Sequence, residues 1–221
     1  MITAFRDRSH AGRVLADLLE EYRADPDALV LALPRGGVPV GYEVASHLGI
    51  PLDVFVVRKL GVPGREELAM GAIASGGVRV LNDDVVRHLA ISPGIIDAVA
   101  ERESREIERR EREYRGHRPR PDVRGRLVIL VDDGLATGST MKAAVMALRR
   151  QSPRCIVVAV PVAAAATCEE FHDIADRVVC ARAPEEFSAV SNWYDDFSQT
   201  SDDEVRRLLA LAMTDAARGP R

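Results

Sequence analysis

Short apolar runs alternate with amphipathic stretches along most of the chain, a rhythm that is typical of α/β folds. The apolar runs are rich in β-branched residues and predict strands buried on both faces, as in a parallel sheet. These predicted strands are Ala28–Leu33, Leu52–Val57, Leu127–Val131, Ile156–Val160 and Arg177–Cys180. The amphipathic stretches predict the helices Ala11–Tyr22, Val38–Leu48, Ser139–Arg150, Ala164–Asp173 and Asp202–Met213. We therefore expect an α/β architecture with a mostly parallel sheet of five to six strands flanked by helices.

Two segments depart from this alternation: Ile95–Arg115, and Pro184–Phe197, which is rich in aromatic and acidic residues. A predicted hairpin precedes the first of them. Leu68–Ala74 and Val78–Leu81 are separated by a Gly-Gly pair and predict a β-hairpin. Ile95–Arg115 predicts a long charged helix in which Glu–Arg pairs, each with the acid first, lie four residues apart. Its apolar stripe is thin, so we expect this helix to be mostly solvated or to pack against a partner.

Composition narrows the classes of function. The chain has 221 residues, and its 30 Lys and Arg against 34 Asp and Glu give a net charge of −4, which argues against bulk nucleic-acid binding. No apolar run approaches the roughly 20 residues of a membrane span. The first residues carry no secretory signal, so a cytoplasmic location without a membrane partner is expected. Cys155, Cys168 and Cys180 lack CxxC spacing and predict buried thiols in a reducing cytosol.

The strand Leu127–Val131 leads into the strongest candidate for chemistry. It ends in Asp132 and Asp133, which are followed by a loop of small residues and a new helix. Ligands of open α/β sheets bind at the carboxyl ends of strands, where glycines and a helix N-terminus let backbone N–H groups bind a phosphate. Two adjacent carboxylates would repel that phosphate, so they should face the hydroxyls of a ribose diol or a hydrated Mg²⁺. The pattern therefore predicts a sugar-phosphate ligand, and the alternative is an ordinary turn before a capped helix.

The string from Leu127 to Thr140 resembles the phosphoribosyl-pyrophosphate (PRPP) binding motif of type I phosphoribosyltransferases. It is unlike a P-loop, because Ser139 follows Gly138 directly and the lysine of that motif is missing. The resemblance implies a type I phosphoribosyltransferase fold with a small hood over the site. It also implies that PRPP is bound by Asp132, Asp133, Gly134, Leu135, Ala136, Thr137, Gly138, Ser139 and Thr140.

A glycine-rich turn after the first strand matches the same family. The resemblance implies that Arg35, Gly36 and Gly37 bind pyrophosphate and that the turn holds a cis peptide bond, expected at Arg35–Gly36. The alternative is a plain turn between a strand and a helix.

The second core strand ends in a pair of cations that also matches the family. Arg58 and Lys59 are implied to bind pyrophosphate and to lead into a mobile catalytic loop over Gly61–Leu68. The alternative for Lys59 is a solvated cation at the end of a strand. The catalytic roles fall to Arg35, Lys59 and Asp133.

The resemblance also divides the chain. Residues 1–183 form the phosphoribosyltransferase core with a helical insertion at 91–125, residues 184–213 form the hood and C-terminal helix, and residues 214–221 form a flexible tail. In the hood, Trp193 and Tyr194 are candidates for an acceptor pocket, since aromatic rings can stack on nucleobases. Alternatively, these rings form the small core of the hood itself.

The implied function is transfer of a 5-phosphoribosyl group from PRPP to a nitrogen acceptor such as a nucleobase, with release of pyrophosphate. Mg²⁺ is the implied cofactor, bound with PRPP and held by Asp132 and Asp133 directly or through water. The alternative is a non-catalytic protein that senses PRPP on the same fold. Relatives of this kind often form homodimers, so a homodimer is an open alternative to a monomer.

Overall fold

Five parallel strands form the centre of the computed structural model, which describes residues 4–218 of the chain. In chain order the strands of the protein are β1 Ala28–Ala32, β2 Leu52–Val54, β3 Val57–Val62, β4 Arg65–Ala74, β5 Val78–Leu81, β6 Leu127–Val131, β7 Cys155–Val162 and β8 Arg177–Arg182. The helices are α1 Arg8–Asp17, α2 Gly37–Leu48, α3 Asp83–His88, α4 Pro93–Arg115, α5 Ser139–Arg149, α6 Ala165–Phe171 and α7 Asp202–Arg218. Short 3-10 turns lie at Glu20–Tyr22 and Val190–Trp193.

The central sheet has the strand order β2-β1-β6-β7-β8 and is parallel throughout. Side chains of β1 alternate between the two faces, so Val30 packs with α1, α2 and α7, whereas Leu29 packs with α5 and α6. Both faces are covered by helices, which explains why β1 and β6 consist of buried apolar residues alone. The predicted parallel sheet is confirmed with five strands.

A separate antiparallel sheet with the order β3-β4-β5 lies between α4 and α5. The predicted hairpin is confirmed as β4 and β5. The predicted strand Leu52–Val57 is wrong in one respect, since β2 ends at Val54 and the chain enters the second sheet at Val57. The predicted mobile loop Gly61–Leu68 is instead mostly strand, because β3 and β4 pair up to Val62 and Arg65 and leave a turn of two residues.

The charged helix is confirmed as α4, and its thin apolar stripe packs against the small sheet. Ile96, Val99 and Ile107 are buried with apolar residues of β3 and β4. At the C-terminal end, the guanidinium of Arg115 is 3% exposed and donates to Asp53 and Glu111. The helix is therefore anchored at both ends to the body of the protein, while its outer Glu–Arg pairs remain in solvent.

The C-terminal helix α7 begins at Asp202 as predicted and packs on α2 and α4 through buried side chains such as Leu209. The flexible tail predicted for residues 214–221 begins inside this helix, since α7 continues to Arg218. The remaining residues of that predicted tail, 219–221, lie outside the described part of the chain. None of the helices within residues 4–218 is both long and apolar enough to cross a bilayer.

The prediction of three buried thiols is wrong for two of them. Cys168 and Cys180 form a disulfide, since α6 packs against β8 and brings their Cα atoms to 7.0 Å. Cys155 is the free cysteine of the described residues and is half-buried.

Candidate functional site

Two adjacent carboxylates stand at the carboxyl end of β6, in the middle of the parallel sheet. The Oδ1 atom of Asp132 accepts a hydrogen bond from the backbone N–H of Asp133 at 2.9 Å. Burial raises the pKa of the Asp132 carboxyl, and repulsion by Asp133 raises that pKa further. Burial also raises the pKa of the Asp133 carboxyl, although the nearby Arg8 guanidinium opposes that effect. Two poorly solvated carboxylates side by side favour a partner that brings hydroxyl donors or positive charge.

The turn after β1 presses against these acids, because β1 and β6 are parallel neighbours and end at the same edge of the sheet. A Cβ atom on Gly36 would overlap Oδ2 of Asp133, and one on Gly37 would lie 2.7 Å from the carbonyl oxygen of Val131. The cis peptide bond is Pro34–Arg35, one bond before the expected position. Arg35 extends from this turn, with its guanidinium 3.9 Å from Asp202 at the start of α7. The structure thus brings the predicted pyrophosphate turn into contact with the predicted ribose acids.

The loop between β6 and α5 is held from behind and open in front. Leu135 donates its N–H to the carbonyl of Val162 at 2.9 Å, and Thr167 donates its hydroxyl to the carbonyl of Ala136 at 3.0 Å. Gly138 has a φ of +67°, and a Cβ atom there would lie 2.6 Å from the ring of Phe171. The exposed residues of the loop and the first turn of α5 are Ala136, Thr137, Ser139 and Thr140. The hydroxyls of Thr137 and Ser139 are hydrogen-bonded to each other at 3.1 Å and both face solvent. Exposed hydroxyls and a helix N-terminus on a fixed loop form a suitable site for a phosphate.

The structure separates the two predicted cations of β3. Lys59 lines a cleft of about 720 Å³ that also contains Ser139 and Thr140. Arg58 instead donates to Glu103 of α4 at 2.9 Å, on the other face of the small sheet. Consecutive residues of a strand point to opposite faces, so one ligand in the cleft cannot be held by both side chains. The paired assignment to pyrophosphate is therefore corrected, and only Lys59 is kept in the candidate site.

The aromatic residues of the hood form a small core, as in the alternative interpretation of the sequence. Trp193 stacks on Phe187 with ring centroids 6.5 Å apart. Tyr194 is 6% exposed and packs its ring between Phe5 and Phe197. Its hydroxyl donates to the backbone carbonyl of Asp133 at 2.6 Å. Tyr194 thus holds the backbone of Asp133 through its hydroxyl, and its buried ring is not open to a stacking acceptor.

Arg8 is the contact of the site that sequence reasoning missed. It donates from Nε to Oδ2 of Asp133 at 2.8 Å. The two residues are 125 positions apart, and although the Phe-Arg-Asp-Arg start and a contribution of Phe5–His10 to the hood are part of the family resemblance, neither assigns a contact to this arginine. The pairing of Phe5 with Tyr194, together with backbone hydrogen bonds from Asp195 and Asp196, holds the start of α1 against the hood and near the end of β6.

The two carboxylates fit Mg²⁺ only together with a phosphate ligand. Within residues 4–218, no group of three His, Cys, Asp or Glu side chains converges to hold a metal ion. Mg²⁺ keeps several waters and is commonly bound through one or two carboxylates plus substrate phosphates. Asp132 and Asp133 therefore suit a cation that arrives with PRPP, and not one held by a cage of protein ligands.

The phosphoribosyl transferase domain, as a family, matches residues 6–193 of this chain. The chain therefore belongs to the phosphoribosyl transferase family, as the string from Leu127 to Thr140 predicted. The match includes Arg8, the turn after β1, Lys59 and the whole loop after β6.

Individual relatives agree with this assignment. Two curated Mycobacterium tuberculosis proteins, from strains CDC 1551 / Oshkosh and H37Rv, carry provisional phosphoribosyl transferase names and are 48% identical over 213 residues. The match covers 96% of this chain and 48% of each relative, so the chain spans about half the length of the curated relatives it matches. The crystal structure of TT1426 from Thermus thermophilus has a TM-score of 0.83 and 42% identity, and the match covers 94% of this chain and 98% of that one.

Replacing Asp132 by asparagine is expected to raise the free energy of unfolding at pH 7.5 by roughly 1 kcal/mol, as relief of strain at a functional site commonly does. The folded state raises the pKa of Asp132 above its ordinary value of 3.8, so ionisation costs the folded state stability as pH rises. The advantage of Asp132→Asn should therefore shrink as the pH falls and disappear toward pH 3, below the ordinary pKa, where the wild-type carboxyl is mostly protonated in both states. Urea unfolding at the two pH values measures the free energy of unfolding, and Asp173→Asn, at an exposed position, is the control. An equal gain in the free energy of unfolding at both pH values would contradict the prediction.

Proposed function

We propose that this chain binds PRPP with Mg²⁺ and transfers its 5-phosphoribosyl group to a nitrogen acceptor, a nucleobase or a similar ring, releasing pyrophosphate. One observation carries the proposal: the turn at Gly36 and Gly37 packs directly against Asp132 and Asp133, beside an open loop at a helix N-terminus. Sites for pyrophosphate, ribose and 5-phosphate are thereby adjacent in the order in which PRPP carries these groups.

Each part of the site has a distinct task. The loop Gly134–Thr140 binds the 5-phosphate through N–H groups and hydroxyls and fixes one end of the donor. Asp132 and Asp133 accept hydrogen bonds from the ribose hydroxyls, and their negative charge favours the cation that develops at C1. Lys59, from the cleft, and Arg35, from the turn, stabilise the negative charge of the departing pyrophosphate. Mg²⁺ supplies further positive charge to the pyrophosphate when it is bound with PRPP.

The transfer breaks the bond between C1 and the pyrophosphate oxygen, and the electron pair leaves with pyrophosphate. A lone pair on the acceptor nitrogen forms the new bond to C1, and the acceptor nitrogen releases its proton to water or to the departing pyrophosphate. The hairpin of β3 and β4 carries Lys59 at the side of the cleft that also contains Ser139 and Thr140.

Calorimetry with PRPP and Mg²⁺, followed by an assay of pyrophosphate release with a panel of nucleobases, tests this proposal. We expect PRPP to bind only weakly without Mg²⁺ and one class of acceptor to release pyrophosphate. Tight binding of PRPP without release for any acceptor would indicate a PRPP-sensing protein. No binding of PRPP in either condition would contradict both functions.

Replacing Lys59 by alanine is expected to lower kcat about tenfold, which corresponds to roughly 1.4 kcal/mol, with little change in the Kd for PRPP. Its ammonium donates to the backbone carbonyl of Glu67 at 3.2 Å and to the exposed carboxylate of the same residue at 3.4 Å. The side chain of Lys59 is half exposed, so it is accessible to the charge that develops on the leaving group. Steady-state kinetics with the acceptor from the panel, together with calorimetry, separates the two constants. Arg79→Ala, which removes an exposed cation from β5 of the same sheet, is the matched control. An equal loss in kcat and in affinity would assign Lys59 to ground-state binding.

The identity of the acceptor, a homodimer and a cytoplasmic location stay predictions. Disulfides are uncommon in a reducing cytosol, so the Cys168–Cys180 pair makes the location worth measuring.

A further inference from the structure

We propose that Arg8 is a positioning residue that holds the carboxylate of Asp133 in the orientation in which it meets the ribose of PRPP. The proposal rests on the proposed function, since ribose binding is assigned there to Asp133. Arg8 acts on the donor through Asp133 and makes no contact of its own with PRPP.

Three contacts fix the guanidinium of Arg8. Its Nε donates to Oδ2 of Asp133 at 2.8 Å, and one terminal nitrogen donates to the carbonyl of Ser198 at 2.7 Å. The plane lies over the ring of Phe197, with its central carbon 3.9 Å from the ring centroid. The side chains of Arg8 and Asp133 are 11% and 15% exposed, so this ion pair is shielded from water. Such a fork with two separate acceptors is specific to arginine, because a lysine cannot donate in both directions from a planar group.

The segment that carries Arg8 is itself fixed to the hood. Phe5 donates its N–H to the carbonyl of Trp193 and accepts from the N–H of Asp195, both at 2.8 Å. Asp7 caps α1 by accepting from the N–H of His10, which fixes Arg8 in the first helical turn. Arg8 therefore approaches Asp133 from a rigid strand-like pairing and not from a free terminus.

The hood holds the backbone carbonyl of Asp133, and α1 holds its side-chain carboxylate. Tyr194 donates to its backbone carbonyl at 2.6 Å, whereas Arg8 donates to its carboxylate. Within residues 4–218, the Asp133 carboxylate accepts one side-chain hydrogen bond, from Arg8 to Oδ2. Its Oδ1 atom is therefore left for a hydroxyl donor. The carboxylate of Asp132 repels that of Asp133. Without Arg8, the Asp133 carboxylate would therefore rotate away from Asp132.

The first test compares the affinity for PRPP with Mg²⁺ of the wild type, Arg8→Gln and Arg8→Lys by calorimetry. We expect Arg8→Gln to bind PRPP about tenfold more weakly, since a displacement of a binding group by about 1 Å has effects of this order or larger. Arg8→Lys should recover part of the loss, because it keeps the charge but not the fork. Arg13→Gln is the matched control: it removes an exposed arginine of α1 that pairs with Glu43, and it should bind PRPP as the wild type does.

A double-mutant cycle with Asp133→Asn separates positioning from a structural role. If Arg8 acts through Asp133, Arg8→Gln should weaken PRPP binding less than twofold once Asp133 is asparagine. A further tenfold loss in that background would overturn the proposal, as it would show a direct contact with PRPP or a general effect on the fold. Thermal unfolding of each variant shows whether it still folds. If Arg8→Gln does not fold, Arg8→Lys replaces it in the double-mutant cycle.

The outcomes distinguish this role from the function on which it rests. If the wild type binds PRPP and Arg8→Gln binds it equally well, the role of Arg8 is wrong and the proposed function stands. If the wild type binds no PRPP, the proposed function is wrong and the role of Arg8 is wrong with it.

Discussion

Replacing Asp132 and Asp133 together by asparagine is expected to weaken PRPP binding by at least about 100-fold while the fold survives. Hydrogen bonds to charged groups contribute roughly 1.5–3 kcal/mol each, and a tenfold change in affinity corresponds to about 1.4 kcal/mol. Two carboxylates in the proposed role of binding the ribose and the Mg²⁺ that accompanies PRPP therefore account for such a loss. Because both acids are destabilised by burial, their removal should leave the thermal unfolding midpoint unchanged or higher. Calorimetry with PRPP and a thermal unfolding scan measure the two effects.

The matched control removes two adjacent acids elsewhere. Glu20 and Glu21 lie in the 3-10 turn that follows α1, where they pair with Arg23 and Arg177. Replacing both by glutamine changes the net charge by the same amount and should leave PRPP affinity unchanged. Unchanged affinity in the aspartate variant, or an equal loss in the glutamate control, would contradict the role of the acids at the end of β6.

Replacing Gly36 by alanine is expected to weaken PRPP binding about 30-fold with a small effect on stability. The backbone of Gly36 has a φ of −58°, which alanine adopts without strain, so the cost is purely steric. The new methyl group would overlap Oδ2 of Asp133 and turn that carboxylate out of the site, which removes one charge-assisted hydrogen bond to the ribose. Affinity for PRPP and the free energy of unfolding in urea together show whether the site moves while the fold stays.

Gly94→Ala is the control for this substitution. Gly94 lies in the first turn of α4, and a Cβ atom there meets no other atom within 4 Å. This variant should bind PRPP as the wild type does. A Gly36→Ala variant with normal affinity would show that Asp133 accommodates the methyl group without leaving the site.

Much of the fold could be predicted from local pattern. The buried strands β1, β6 and β7 are continuous apolar runs, and the helices between them show the spacing of one buried face. The loop after β6 could be placed at the edge of the sheet because its acids, glycines and hydroxyls directly follow a strand. The boundary between the two sheets could not be predicted in this way. Phe55 and Val56 are both apolar and buried, so composition alone does not show that one sheet ends and another begins there.

The sequence predicted which segments form the candidate site, but not which of their side chains contact one another. Alternation along β3 would have shown that Arg58 and Lys59 point in opposite directions, but not which of them faces the cleft. That depends on α4, which covers one face of the small sheet and supplies Glu103 as the partner of Arg58. The sequence similarly shows that Tyr194 is aromatic, but its buried position under Asp133 follows from the packing of the hood against Phe5.

By itself, then, the order of residues determined the parallel sheet, the candidate phosphate loop and the adjacent acids, because the spacing of buried residues, glycine and charge act over a few neighbouring positions. Only the tertiary structure decided that Arg8 reaches Asp133, that Gly36 abuts it and that Cys168 meets Cys180. These contacts join segments far apart in the chain, and their distances depend on how whole helices and strands pack on one another.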